Sequence, residues 1–193
     1  LREILPALLR RMEARLPGPL ADCVTLFIGG GLHPPVDADA TERILPAGIT
    51  RGCRVVAHDA RTAAMRDYGA TSRGTPVRIN AEYADADFKM VVGQVDPHQF
   101  VGFTGGSKGV VIGCAAPETI EMNHSLMAQP NAHVGQLEGN PVREDLTEEQ
   151  LQAVEPESMT GRSGRQMAVY YNILNILGDR LRSNPGSSVT LVG

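Results

Sequence analysis

The chain opens on apolar residues at helical spacing. Leu1, Ile4, Leu5, Leu8, Leu9, Met12 and Leu16 fall on one face, with Arg2, Arg10, Arg11 and Arg15 mostly on the other. That pattern predicts an amphipathic helix, ended by Pro17, Gly18 and Pro19. No capping residue precedes Leu1, so upstream sequence is expected, and charge interrupts the apolar positions too often for a signal peptide. Residues 23–28 form a short apolar run before Gly29, Gly30 and Gly31, which reads as a buried strand ending in a glycine turn. Further strands are expected at 54–58, at 76–79 after the turn Arg73-Gly74-Thr75, and at 88–95 before Asp96-Pro97. Residues 39–45, 118–127 and 146–154 read as helices, the last with Thr147 as its N-cap. Residues 155–165 read as a linker, and 187–192 as a strand with nothing after it to pair with. Short apolar strands alternating with helices predict an α/β fold, with a mainly parallel sheet flanked by helices in a Rossmann-like three-layer arrangement.

Composition narrows the function classes. With 42% hydrophobic and 21% charged residues, disorder is excluded. A net charge of −4 without a basic cluster argues against a nucleic-acid partner. No apolar run reaches the roughly 20 residues of a membrane helix. Cys23, Cys53 and Cys114 form no CxxC pair and no even framework, which excludes a disulfide scaffold and a zinc ribbon. A cytoplasmic, enzyme-like domain is the expectation.

The candidate chemistry lies after the strands. Sites on parallel sheets form beyond the strands' carboxyl ends, and His33 and His98 follow predicted strands while His58 ends one. The densest segment runs from Pro97 to His124, where Gly102, Gly105, Gly106 and Gly109 surround Lys108. Glycines let backbone N–H groups approach an anion, and the lysine adds positive charge. A P-loop needs Gly directly before the Lys and Ser or Thr after it. Here those neighbours are Ser107 and Gly109, so the P-loop reading fails. Nor does a GxGxxG follow the first strand. The sequon Asn123-His124-Ser125 is discounted, because nothing else indicates secretion.

In that segment the chain resembles the nickel-dependent lactate racemase family, specifically its N-terminal catalytic domain. The motifs that carry the resemblance are GGGLHPP, AHD, GATSRGTPVRIN, ADADFKMVVGQVDPH, GFTGGSKGVVIGCAAPETIEMNH and GNPVRED, in the family's order. The resemblance implies an isomerase that racemises or epimerises a 2-hydroxy acid. It implies a nickel-pincer nucleotide joined covalently to Lys108, with Thr104, Gly105 and Gly106 beside it and His124 as nickel ligand. His33 and His98 would be the catalytic bases, and His58 a structural or supporting residue. The route implied is hydride transfer to the cofactor and a 2-keto acid intermediate, with the hydroxyl proton taken by either base. Soft sulfur and imidazole donors suit nickel. The implied partners are a small 2-hydroxy acid and the enzymes that make the cofactor, with no nucleic acid and no membrane.

The family usually flanks the first catalytic histidine with Thr and Arg, whereas here Leu32 and Pro34 stand there. This leaves open an isomerase acting on a larger hydroxy acid. A non-catalytic metal- or nucleotide-binding module on the same scaffold is the reading from another class, opposed by the presence of His33, His98, Lys108 and His124. Residues 1–154 are expected to be the N-terminal domain of a two-domain protein, truncated at its start. Residues 155–193 are expected to be a linker and the possible beginning of the second domain.

Overall fold

The computed structural model describes residues 4–16, 18–153 and 189–192. The opening periodicity forms α1, Ile4–Glu13, which buries Leu5, Leu9 and Met12 on one stripe. Each such side chain contributes about 1.5–3 kcal/mol relative to exposure. A single turn, α2 (Leu20–Cys23), leads into β1, Val24–Ile28. Next come α3 (Ala38–Ile44), capped by the Asp37 side chain, and β2 (Arg54–Ala57). After β3 (Met65–Ala70), β4 (Pro76–Asn80) and α4 (Ala81–Ala84) comes β5, Phe88–Val91. The chain continues through β6 (Pro97–His98), β7 (Gly102–Phe103), α5 (Ser107–Cys114), α6 (Pro117–Ser125) and α7 (Pro141–Ala153) to β8, Val189–Val192.

The main sheet is parallel throughout, in the order β2-β1-β8-β5. Its two faces bury different elements, because successive strand residues point to opposite sides. Val24 and Leu26 pack with α1, Leu45 and Cys53, joined by Val55, Phe88 and Met90. Phe27 faces the other way, into a core with α5, α6, α7 and β4, joined by Val56 and Val91. The expected three-layer α/β arrangement is present.

Four details depart from the sequence reading. The strand at 76–79 lies outside the parallel sheet: β4 pairs antiparallel with β3 in a separate hairpin. Its turn is closed by Thr71 N–H to Thr75 O (2.9 Å) and Gly74 N–H to Thr71 O (2.9 Å), with Gly74 at φ +83°. The strand expected over 88–95 stops at Val91. The last helix starts five residues before the expected 146, because Asn140 Oδ1 accepts the N–H groups of Val142 (3.1 Å) and Arg143 (3.2 Å). Thr147 is not a cap: it sits inside α7 and donates its hydroxyl to Arg143 O (2.9 Å). Finally, the closing strand does find partners, as β8 inserts between β1 and β5. The expected linker at 155–165 lies outside the described residues, as does most of the segment beyond 154. Among the described residues no helix is long and apolar enough to cross a membrane.

Candidate active site

β1, β2 and β5 point their carboxyl ends the same way, so His33, His58 and His98 leave one edge of the sheet. A cavity of about 300 Å³ lies at the opposite edge, lined by residues such as Thr25, Arg54 and Glu82. It is away from all the candidate residues.

The loop after β5 is built around Thr104. Its hydroxyl donates to Gln94 O (3.1 Å) and accepts from Asp96 N–H (2.8 Å), while its own N–H bonds Asp96 O (2.8 Å). These bonds close the base of a hairpin in which His98 pairs with Gly102. Gly102 has φ +81°, and a Cβ there would lie 2.1 Å from Gln136 O, so no other residue fits without displacing the backbone. Gly105 and Gly106, at φ +73° and +55°, turn the chain into α5, with Lys108 in its first turn. A Cβ on Gly106 would meet open space.

Three of the predicted site residues come together here. The Phe100 ring stands edge-on to His98 (centroids 4.7 Å, 88°) and edge-on to His124 (5.2 Å, 74°). His98 is half-buried, and burial lowers its pKa, followed by the positive charges of Lys108, His124 and Arg143. The Lys108 pKa is lowered too, first by burial and then by Arg143. His124 bonds Ile120 O through Nδ1 at 2.6 Å. A carbonyl only accepts, so in the neutral ring Nδ1 carries the proton and Nε2 keeps a lone pair. Val101 N–H points at His98 Nδ1 (3.4 Å), which puts the proton of the neutral ring on Nε2.

His33 stands apart from this group. It is exposed in the turn after β1, and its N–H bonds Gly30 O (3.1 Å). The exposed Arg61 steadies that turn through Leu32 O (3.2 Å). Neighbouring strands are about 4.8 Å apart, so β1 and β5, separated by β8, place the starts of the His33 and His98 segments about 10 Å apart. His58 is 1% exposed. Its Nδ1 accepts from Asn80 Nδ2 (3.2 Å), which leaves Nε2–H to donate to Ala115 O (3.1 Å). Both ring nitrogens are committed, and burial lowers the pKa, so His58 is a neutral structural bridge.

Sequence reasoning missed the part played by α7. Its first turn holds the His98 hairpin: Asn140 Nδ2 donates to Phe100 O (2.9 Å), and Arg143 donates to Val101 O (3.3 Å) and Phe103 O. Further along, Asp145 accepts the hydroxyls of Thr71 (2.7 Å) and Thr75 (2.8 Å) and the amide of Asn123 (2.9 Å), the residue before His124. Asn123 also donates to buried Glu149 (3.2 Å). The available signal was Gly139-Asn140-Pro141, a cap residue before a proline suited to the first helical position.

The group can receive an anion. Among the described residues neither Lys108 nor Arg143 pairs with a carboxylate. Also among them, no three His, Cys, Asp or Glu side chains gather to hold a metal. A metal here would take most of its donors from a bound ligand, with His124 Nε2 free to add one.

The comparisons with known proteins follow the same lines. The family described as lactate racemase N-terminal domain matches residues 1–135. The chain is 29% identical over 126 residues to the lactate racemase of Thermoanaerobacterium thermosaccharolyticum, covering 64% of this chain and 30% of that protein. It is 30% identical over 146 residues to the lactate racemase of Lactiplantibacillus plantarum, covering 74% of this chain and 34% of that one. The chain thus spans about a third of the length of these relatives. The solved structure of the lactate racemase apoprotein from T. thermosaccharolyticum superposes with a TM-score of 0.63 at 20% identity, over 75% of this chain and 46% of that one. At that identity the likeness speaks for the fold.

Proposed function

Because this chain belongs to the lactate racemase N-terminal domain family, we propose that it carries the catalytic side chains of a racemase or epimerase acting on a 2-hydroxy acid. The observation that supports this best is the placing of His98 and His124 on either side of Phe100, with the charge of Lys108 felt at His98, at the carboxyl edge of a parallel sheet. The residues present fit a nickel-pincer nucleotide. Lys108 offers a half-buried amine of lowered pKa for covalent attachment, and His124 offers an Nε2 lone pair to nickel. When bound, that group would accept hydride from the substrate α-carbon, leaving a flat 2-keto acid.

The chain's own residues do the rest. His33 and His98 take the hydroxyl proton and return it, one serving each enantiomer, from loops that start about 10 Å apart. The lowered pKa of His98 keeps its imidazole neutral near pH 7, as proton acceptance requires. Arg143, which keeps its charge, draws the anionic substrate or cofactor toward the site. Thr104, Gly105 and Gly106 fix the loop so that Lys108 starts a helix facing that charge. Leu32 and Pro34, in place of Thr and Arg beside His33, favour a hydroxy acid larger than lactate as a second reading. The enzymes that assemble the cofactor are the partners this reading requires.

The test is intact mass after co-expression with cofactor-making enzymes. Added mass on the wild type, absent from K108A, is expected. H124A should gain the mass but lose nickel by metal analysis. An unmodified wild-type chain under conditions that load a known lactate racemase would sink the proposal.

A further inference from the structure

The hairpin between His98 and Lys108 is held from outside by the first turn of α7. Asn140 takes Phe100 O at 2.9 Å, and the Arg143 guanidinium takes Val101 O at 3.3 Å and Phe103 O. A guanidinium is a rigid fork of five donors that cannot be deprotonated in a protein. Carbonyls satisfy its hydrogen bonds but leave its charge in place. Among the described residues no carboxylate pairs with it. Arg143 is therefore a fixed, partly desolvated cation. α5, which carries Lys108, packs on α7.

We propose that Arg143 is a positioning residue that holds the His98–Lys108 hairpin in shape and primes the Lys108 amine for acylation. This rests on the reading of Lys108 as the attachment point. An ammonium has no lone pair, so a lysine must be neutral before it can form an amide. In that step the Lys108 nitrogen attacks an activated acyl carbon. The C–N bond forms, the bond to the leaving group breaks, and the amine proton passes to solvent. The groups that face Lys108 are Arg143, a fixed cation on α7, and His98 on β6, whose imidazole is neutral where a lysine loses its proton. Arg143 is the charge that opposes a further positive charge on Lys108.

The chain supplies its own control, since Lys89 and Lys108 are its only lysines. Lys89 donates to Ala86 O (2.6 Å) and lies 5.8 Å from the Tyr83 ring centroid. The experiment is competitive acetylation of the cofactor-free protein with trace acetic anhydride across a pH series, mapped by peptide mass spectrometry. In wild type, Lys108 should acquire label at lower pH than Lys89. In R143Q the Lys108 curve should move up toward that of Lys89 and its labelling at pH 8 should fall several-fold, with Lys89 unmoved. R143K keeps the charge and should stay near wild type; if R143Q does not fold, R143M supplies the charge-neutral curve, with the same shift expected. An R143Q curve identical to wild type, or an R143K curve shifted fully to that of Lys89, overturns the proposal. Neither cofactor nor turnover enters the measurement, so its failure is distinct from a failure of the functional reading.

Discussion

Gly29 and Gly113 touch backbone to backbone. A Cβ on Gly29 would lie 3.0 Å from Gly113 Cα, and one on Gly113 would lie 3.2 Å from Gly29 Cα. Two residues on, Gly31 N–H bonds Gly113 O at 3.2 Å. The exit of β1, which leads to His33, is thereby docked on α5, the helix that carries Lys108. G113A should destabilise the fold by about 1–3 kcal/mol, because neither backbone can retreat. Chemical denaturation measures this, and a G113A midpoint equal to wild type would show that the two backbones can part freely.

Glu149 gives the fold a pH dependence of unusual sign. It is fully buried on α7, against Asp145 and Asn123. Burial first, then the neighbouring Asp145 carboxylate, pushes its pKa up from 4.5 to about 10. The folded state therefore holds a proton that the unfolded chain releases near 4.5. The stability tied to that proton is complete below pH 4.5 and is lost as the pH rises toward 10. E149Q presents an amide that cannot ionise. It should flatten the decline and, at pH 8, exceed wild type by on the order of 1–3 kcal/mol in urea unfolding. A decline just as steep in E149Q would exclude Glu149 as its source.

Particular residues show what could be read from the sequence and what could not. α1 was legible because Leu5, Leu9 and Met12 keep helical spacing, and β1, β2 and β5 because each is a short apolar run before a turn. β3 was not: MRDYGA carries charge on its exposed positions and a glycine. Its existence depends on the 71–75 turn and on pairing with β4. The strand character of β8 was legible, but its place between β1 and β5 is a choice among sheet orders that local sequence does not make. In the site, His98, Lys108 and His124 come from one glycine-rich segment, and their roles are what its resemblance to the family implies. Arg143 was not legible, because its partners are carbonyls 42 and 40 residues away, and carbonyls leave no mark in a sequence.

Phe100 links the two imidazoles of the site, and its removal tests how His98 is tuned. The ring covers one edge of His98, whose pKa is lowered first by burial and then by the charges of Lys108, His124 and Arg143. F100L leaves those charges in place but lets water reach the imidazole. The His98 pKa should therefore move up, toward 6.5, as read by NMR titration of its ring protons. Loss of two edge-on ring contacts should also cost about 1 kcal/mol of stability. A base must be neutral to accept a proton, so activity falls as the pH drops through its pKa. On the proposed function, the acid limb of kcat/KM of the cofactor-loaded protein should accordingly shift to higher pH in F100L. If the NMR titration moves and the acid limb does not, His98 is not the group that limits activity at low pH, and the proton-transfer role assigned to it fails.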